Sequence, residues 1–292
     1  VVAMRPRTGE ILAVGGLGFS GLQPPGSTFK IVTLTGTLAA GLARPDTSFP
    51  FSSFATLSGV KLANANGENC GGTLRQAFAV SCNSVFAPLG ARLGAKRLVE
   101  TAAAFGFNEA PEIPGAAMPT IPPADQIGDD LAVGSSAIGQ GRVQATALTM
   151  ATVAATIALH GRRPHPTLIF GVRRAPRQVI DRRVARTVER LMLDVVRFGT
   201  GVAAAITGVK VAGKTGTAEL KSTHVDCEAN PDDPLCVNPK PNDPTDTDAW
   251  FAAYAPAGRP HVAVGVLLVG AGAGGDTAAP VARSVITSAL PR

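Results

Sequence analysis

The sequence predicts an α/β protein in which one mixed sheet, flanked by helices, carries a helical lobe. Strand patterns stand at both ends of the 292-residue chain and helical patterns fill the middle. With 45% hydrophobic residues and a net charge of only +6, the chain can bury a core and is not disordered. We expect one catalytic unit, with a sheet lobe at about residues 1–50 and 165–292 and a helical lobe at about 51–164.

The elements follow in order along the chain. Residues 1–15 predict a hairpin around the turn sequence RPRTG. A helix from Ser27 to Ala40 carries apolar residues at helical spacing and ends at Gly41. Further helices are predicted at Thr73–Ala79, Val85–Phe105, Val143–His160, Arg182–Phe198 and Asp276–Leu290, and strands at Val209–Glu219, Ala249–Tyr254 and His261–Val269.

Composition and charge exclude several classes of protein. The longest apolar run, Val262–Val269, is far shorter than the ~20 residues of a membrane-spanning helix. The opening, VVAMRPRTGEILAVGG, is not a signal peptide, and we expect a piece of a longer protein because it starts inside a strand. The basic stretch at 162–197 and the acidic stretch at 226–248 indicate solvated surface. Without interleaved aromatic residues, no nucleic-acid partner is expected.

Two of the four cysteines, Cys227 and Cys236, lie close together in a proline-rich loop. A disulfide between them is possible, and two free thiols or a metal pair are the alternatives. A disulfide would place the chain outside a reducing cytosol.

Three short patterns occur in order along the chain. They are Ser27-Thr28-Phe29-Lys30, Ser81-Cys82-Asn83 and Lys214-Thr215-Gly216-Thr217. S-x-x-K and S-x-N should each occur roughly once by chance in a chain of this length. All three in this order are not expected by chance.

The first pattern suits nucleophilic catalysis. An alcohol is a weak nucleophile and needs an adjacent base, and Lys30 lies one helical turn beyond Ser27. A lysine is such a base only if burial or a neighbouring cation lowers its pKa. The alternative is a helix-capping serine with a solvated lysine, but the apolar neighbours Phe29 and Ile31 favour an interior position.

Taken alone, the other two patterns are weaker indications of a functional site. Lys214 lies on a predicted strand and follows no G-x-x-x-x-G, so it belongs to no phosphate loop. A strand with a cation, two hydroxyls and Gly216 suits an extended peptide that ends in a carboxylate. The alternative is an edge strand protected by a lysine. Ser81 and Asn83 alone indicate a turn.

Together, the patterns resemble the active-site serine penicillin-recognising enzymes, meaning penicillin-binding proteins and serine β-lactamases. Longer segments are similar to the transpeptidase domain of a class B (monofunctional) penicillin-binding protein. They are PPGSTFK, AIGQG at Ala137–Gly141, AGKTGTAE at Ala212–Glu219 and DAWFAAYAP at Asp248–Pro256. The resemblance implies a central, mainly antiparallel five-stranded sheet flanked by helices, with an all-helical lobe.

The resemblance also implies catalytic roles. Ser27 would attack the carbonyl between the two terminal D-alanines of a peptidoglycan stem peptide and form an acyl-enzyme. Lys30, kept neutral by the charge of Lys214 and by burial, would take the serine proton. Ser81 would relay a proton to the leaving amine, and Asn83 would hold Lys30 and the substrate amide.

Substrate binding is implied for the third pattern. Lys214, Thr215 and Thr217 would bind the substrate carboxylate, with Gly216 allowing close approach. The backbone N–H groups of Ser27 and Thr217 would form the oxyanion hole. The resemblance implies no metal or organic cofactor.

The implied setting is extracytoplasmic, with a membrane anchor in the full-length protein. The anchor and a non-catalytic pedestal are expected to be absent from this chain. Expected partners are peptidoglycan stem peptides, β-lactam antibiotics and, through regions outside this chain, a membrane glycan polymerase. Cys82 departs from the usual pattern and is expected to be a buried, inert thiol. The acidic 221–247 segment is expected to be a tethered surface loop.

Three alternative functions share these motifs. A class A serine β-lactamase needs a glutamate in a Glu-x-x-Leu-Asn context, which Glu100, Glu109 and Glu112 do not fit. A D,D-carboxypeptidase lacks the GQG and WFAAYAP surroundings. A β-lactam-sensing receptor domain would use the same pocket without turnover of peptide.

Overall fold

The computed structural model describes residues 1–172, 174–219 and 246–291. The strands are β1 Val2–Met4, β2 Ile11–Val14, β3 Ser48–Ser52, β4 Phe54–Leu57, β5 Val60–Ala63, β6 Cys70–Thr73, β7 Arg162–Arg163, β8 Arg177–Gln178, β9 Ala212–Glu219, β10 Thr247–Ala255 and β11 Val262–Leu268. The helices are α1 Lys30–Ala39, α2 Leu74–Ala79, α3 Asn83–Leu93, α4 Ala95–Ala104, α5 Asp130–Ala137, α6 Ala147–Ala158, α7 Arg182–Phe198 and α8 Ala278–Ala289.

The central sheet has five strands in the order β2-β1-β11-β10-β9, and every neighbouring pair is antiparallel. Val2 lies opposite Gly265, so strands from the two ends of the chain are neighbours. The five-stranded, mainly antiparallel sheet that the resemblance implies is confirmed, whereas the mixed sheet expected from the order of elements is wrong, because no pair of its described strands is parallel. Its inner strands β10 and β11 are buried along almost their whole length because helices cover both faces.

The two faces of the sheet belong to different cores. Trp250 on β10 packs into the larger core with α6, whereas its neighbour Phe251 packs with Ile286 of α8. This alternation follows the two-residue period of a strand. On β11, a Cβ atom on Gly265 would lie 2.0 Å from the Ala147 carbonyl oxygen, so glycine lets α6 pack directly on the sheet.

Helix α1 lies in the interior of the molecule. Residues 30–37 are all buried, and α3, α4 and α7 pack against the helix. A helix enclosed on every side needs apolar or small residues all around, which the sequence KIVTLTGTLA provides, apart from its first residue. That exception is Lys30, whose amine reaches the candidate active site.

The prediction of an all-helical lobe from about residue 51 does not hold up to residue 73. Residues 48–73 form two small antiparallel sheets, β3 with β6 and β4 with β5. Ser58 and Gly59 both have positive φ, at 47° and 80°, as a two-residue hairpin turn of type I′ requires. The boundaries between the lobes stay a prediction.

One of the predicted helices is two separate helices in the structure. The stretch expected to be continuous from Val85 to Phe105 is divided into α3 and α4 at Gly94, which has φ +81°. Only a residue without a Cβ atom adopts this conformation readily, so the glycine marks the break.

The cysteine predictions have a mixed outcome. Cys82 is not a free thiol, since it forms a disulfide with Cys70 on β6. Both cysteines are buried, and the bridge ties β6 to the residue that precedes α3. The suggested pair Cys227 and Cys236 lies outside the described residues, as does the 221–247 segment up to residue 245.

Within the described ranges, no helix combines the length and apolar character needed to cross a membrane.

Candidate active site

The three predicted segments meet at one end of α1. Ser27 lies in the 3-10 turn that leads directly into α1, and Lys30 is the first residue of that helix. Ser81 lies in the turn between α2 and α3, with a φ of +65°, and Asn83 is the first residue of α3. Residues 214–217 belong to the edge strand β9. A left-handed backbone at a non-glycine residue such as Ser81 is a feature that active sites retain despite its cost.

The Lys30 amine is fully buried and held by two oxygens. Its Nζ donates to the Ser81 carbonyl oxygen and to Asn83 Oδ1, both at 2.6 Å. Asn83 Nδ2 donates to the Ala63 carbonyl oxygen at 3.0 Å, which fixes Oδ1 as the side that faces the lysine. A neutral amine has two N–H bonds and one lone pair. The two oxygens at 2.6 Å occupy both N–H bonds, so among the described residues the lone pair faces only the longer contact with Ser81 Oγ, at 3.3 Å.

Electrostatics favour the neutral amine. Burial lowers the pKa of Lys30 well below its ordinary value, and the nearby charge of Lys214 lowers that pKa further as the smaller of the two causes. The Phe86 ring, 5.7 Å from Nζ to its centroid, forms part of the apolar surroundings.

The Ser81 hydroxyl lies between two amines. Lys214 Nζ donates to Ser81 Oγ at 2.8 Å, and Lys30 Nζ is 3.3 Å from the same oxygen. Lys214 also donates to the carbonyl oxygen of Thr215 at 3.1 Å. Burial lowers the pKa of Lys214 to about 7. The three groups form a continuous hydrogen-bonded path from α1 to β9.

The turn before Ser27 lies directly against β9. A Cβ atom on Gly26 would be 2.6 Å from the Thr217 carbonyl oxygen, and one on Gly216 would be 2.8 Å from that of Pro25. Both positions therefore need glycine.

In the described part of the chain, the half-buried Ser27 hydroxyl has no hydrogen-bond partner, and it caps neither the 3-10 turn nor α1. The capping alternative for Ser27 was wrong.

A second loop holds the same turn from the other side. Gly26 N–H donates to the carbonyl oxygen of Gly139 at 3.0 Å. Gly139 has φ +79°, and a Cβ atom on it would be 2.0 Å from the Gly26 carbonyl oxygen. Gly139 belongs to the AIGQG segment, whose glycines had no predicted role.

One further group was not found from the sequence. Thr200, in the loop after α7, places its hydroxyl oxygen 2.5 Å from that of Thr215. The sequence carries no local signal for this contact, because α7 and β9 are brought together only by the fold.

The assembled groups are those of a serine acyltransferase. A half-buried alcohol lies one helical turn before a buried amine whose pKa is lowered. Beside them runs a strand that carries a lysine and two hydroxyls.

Comparison with known proteins agrees with this class. The penicillin binding protein transpeptidase domain family matches residues 1–287, and the chain belongs to that family. The peptidoglycan D,D-transpeptidase PbpA of Mycolicibacterium smegmatis is 37% identical over 296 residues, which cover 91% of this chain and 55% of that protein. The chain thus spans about half the length of the curated relatives it matches.

Solved structures of penicillin-binding proteins are also similar to this chain. The crystal structure of PBPA from Mycobacterium tuberculosis is 32% identical, with a TM-score of 0.83 over 99% of this chain and 74% of that chain. The imipenem acyl-enzyme complex of the same protein is 32% identical, with a TM-score of 0.84 over 99% of this chain and 73% of that chain.

The pKa of Lys214 predicts a dependence of stability on pH. We expect the free energy of unfolding to rise between about pH 7 and about pH 9, by up to roughly 1 kcal/mol per pH unit from this group. In this window the unfolded chain holds Lys214 protonated, because its ordinary pKa is 10.5, whereas the folded chain holds it neutral. Unfolding therefore takes up a proton, and raising the pH opposes it. Urea unfolding across the window measures the slope.

A pair of variants separates Lys214 from other titrating groups. Lys214→Met should show a smaller slope than the wild type, whereas Lys61→Met, at an exposed lysine, should keep the wild-type slope. Equal slopes in the wild type and Lys214→Met would contradict the assigned pKa.

Proposed function

We propose that this chain is the catalytic domain of a class B penicillin-binding protein and acts as a serine peptidoglycan D,D-transpeptidase. One observation carries the proposal. The two N–H bonds of the buried Lys30 amine are engaged at 2.6 Å, and its one other polar contact in the described part of the chain, with Ser81 Oγ, is longer at 3.3 Å. The amine lies one helical turn from Ser27, whose hydroxyl has no partner among the residues that the structure describes. This is the arrangement that a neutral lysine base requires.

The first half-reaction forms an ester. Ser27 Oγ attacks the carbonyl carbon between the two terminal D-alanines, and its proton passes to Lys30 Nζ. The C–N bond then breaks, and the proton reaches the leaving amine through the Ser81 hydroxyl, so that D-alanine departs neutral at nitrogen. The backbone N–H groups of Ser27 and Thr217 stabilise the oxyanion, an effect of several kcal/mol in serine acyl transfer.

The second half-reaction restores the enzyme. An amine from a neighbouring stem peptide attacks the ester carbonyl, loses its proton along the same path, and releases Ser27 with a new peptide cross-link. Asn83 keeps Lys30 in place during both halves. Lys214, Thr215 and Thr217 bind the carboxylate of the donor peptide, and Gly216 lets that peptide approach β9.

The proposal extends to the setting of the enzyme. The Cys70–Cys82 disulfide supports an oxidising, extracytoplasmic compartment. The M. tuberculosis relative described as an acyl-enzyme complex with imipenem supports β-lactams as covalent ligands here. Regions outside this chain would supply a membrane anchor and contact a membrane glycan polymerase.

Intact mass after exposure to a penicillin, followed over time, tests the proposal. We expect a stable adduct of one penicillin, located on Ser27 by peptide mapping and absent from Ser27→Ala. Ser20 is an exposed serine a few residues earlier in the chain, so Ser20→Ala serves as the matched control and should label normally.

Turnover assays decide between the proposed reaction and its relatives. Incubation with a stem pentapeptide and an acceptor amine should release D-alanine and give the cross-linked peptide. Rapid loss of the adduct with hydrolysed antibiotic would instead indicate a β-lactamase, and D-alanine release to water alone a carboxypeptidase. A stable adduct with no peptide turnover would indicate a sensor.

A further inference from the structure

The Thr200 hydroxyl lies at the carboxylate-binding end of the proposed site. Thr200 is exposed and follows α7, and its Oγ1 is 2.5 Å from Thr215 Oγ1. Its backbone N–H donates to the Ala79 carbonyl oxygen at 3.0 Å, at the last residue of α2. Thr200 is thereby fixed both to the strand that presents Thr215 and to the helix that precedes Ser81.

The direction of the hydrogen bond between the two threonines matters. A hydroxyl has one proton to donate and lone pairs to accept, so only one of the pair can donate to the other. The Ala79 carbonyl oxygen is 3.4 Å from Thr200 Oγ1, a much longer contact, and it already accepts the Thr200 N–H. If Thr200 donates to Thr215, the Thr215 proton is left for a third group. A carboxylate is the partner that gains most, since it accepts charge-assisted bonds and has no proton of its own.

The neighbouring hydroxyl on β9 follows the same rule. Gly274 N–H donates to Thr217 Oγ1 at 3.3 Å. An N–H group can only donate, so Thr217 also accepts from the protein and keeps its own proton for a ligand. With Thr200 as the donor to Thr215, both hydroxyls on β9 accept from loops outside the strand.

We propose that Thr200 is a positioning residue that makes Thr215 a hydrogen-bond donor and so sets the preference of the site for ligands with a free carboxylate. This inference rests on the proposed function, because it assigns the carboxylate to Thr215. It adds a residue that none of the three motifs contains. The chain of donors, from Thr200 to Thr215 to carboxylate, also strengthens each bond by polarising the next.

The test compares a penicillin with its methyl ester in the wild type and in Thr200→Val. Valine keeps the shape of threonine and removes its hydroxyl. We expect acylation of Ser27 by the free acid to slow about tenfold, while the rate with the ester changes less than about twofold. The preference for the acid therefore falls about tenfold. Thr200→Ser, which restores a hydroxyl, should recover the wild-type preference.

A matched control removes a hydroxyl from α7. Thr187→Val loses a side chain that donates to the Arg183 carbonyl oxygen, and it should keep both rates. An unchanged preference in Thr200→Val would overturn the inference. So would an equal loss with acid and ester, because that result indicates a general structural role.

The outcomes separate this inference from the proposed function. If the wild type forms no adduct on Ser27, the proposed function is refuted and the inference with it. If the wild type is labelled and Thr200→Val keeps the wild-type preference, only the inference is refuted.

Discussion

Lys30→Met should slow acylation of Ser27 by a penicillin about a thousandfold, the middle of the range for loss of a general base. Methionine has nearly the length of lysine but no lone pair of comparable basicity. The serine hydroxyl would then have no group close by to take its proton. Rates of adduct formation, followed by mass spectrometry of quenched samples, measure the loss.

The same variant should remain folded. Methionine removes the cost of burying an amine, whereas the Ser81 carbonyl oxygen and Asn83 Oδ1 lose their donor. The two effects oppose each other, and each lost partner costs about 1–3 kcal/mol. Circular dichroism should therefore show a cooperative thermal transition close to that of the wild type.

Lys96→Met provides the control for Lys30→Met, because Lys96 is exposed on α4. It should acylate at the wild-type rate. A folded Lys30→Met variant that acylates at the wild-type rate would refute the assignment of Lys30 as the base.

Removal of the Cys70–Cys82 disulfide should lower the free energy of unfolding by about 3 kcal/mol. The two cysteines are 12 residues apart, and the bridge limits the freedom of the unfolded chain between them. Cys82 also lies between Ser81 and Asn83, so we expect acylation to slow in the double alanine variant. Urea unfolding and adduct formation measure the two effects.

The single variants test whether the bridge is the cause. Cys70→Ala and Cys82→Ala each abolish the same cross-link, so each should destabilise the chain nearly as much as the double variant. Independent losses would add instead. Additive single effects would show that the lost side-chain packing, and not the disulfide, stabilises this segment.

Elements governed by local chemistry could be predicted from the sequence. Helix α7 has the predicted bounds because Asp181 Oδ1 accepts from the N–H groups of Arg183 and Val184. Helix α2 likewise begins directly after Thr73, the first residue of its predicted span, where Thr73 and Gln76 form a capping box. The three motifs were also found, since each is continuous in the chain and the fold brings all three to one place.

Contacts between distant segments could not be predicted in this way. Gly139 packs against Gly26, which lies far from it in the sequence. Cys70, which is bonded to Cys82, lies on β6, a strand of a small sheet in a region that was predicted to be helical. Thr200 is brought to β9 by the packing of α7. Ordinary steric and bonding rules explain each of these contacts once the two residues are side by side. Which residues come together depends on the three-dimensional fold, and a single sequence shows no periodic pattern for it.

The pairing of β1 with β11 has a consequence for the order of assembly. Of the strands of this sheet, β1 is made first, but β11, one of its two neighbours, is made only after β9 and β10. Until then β1 has only its hairpin partner β2, and the five-stranded sheet is incomplete. The five-stranded sheet can therefore be completed only after β11, the last of its strands in the sequence, has left the ribosome.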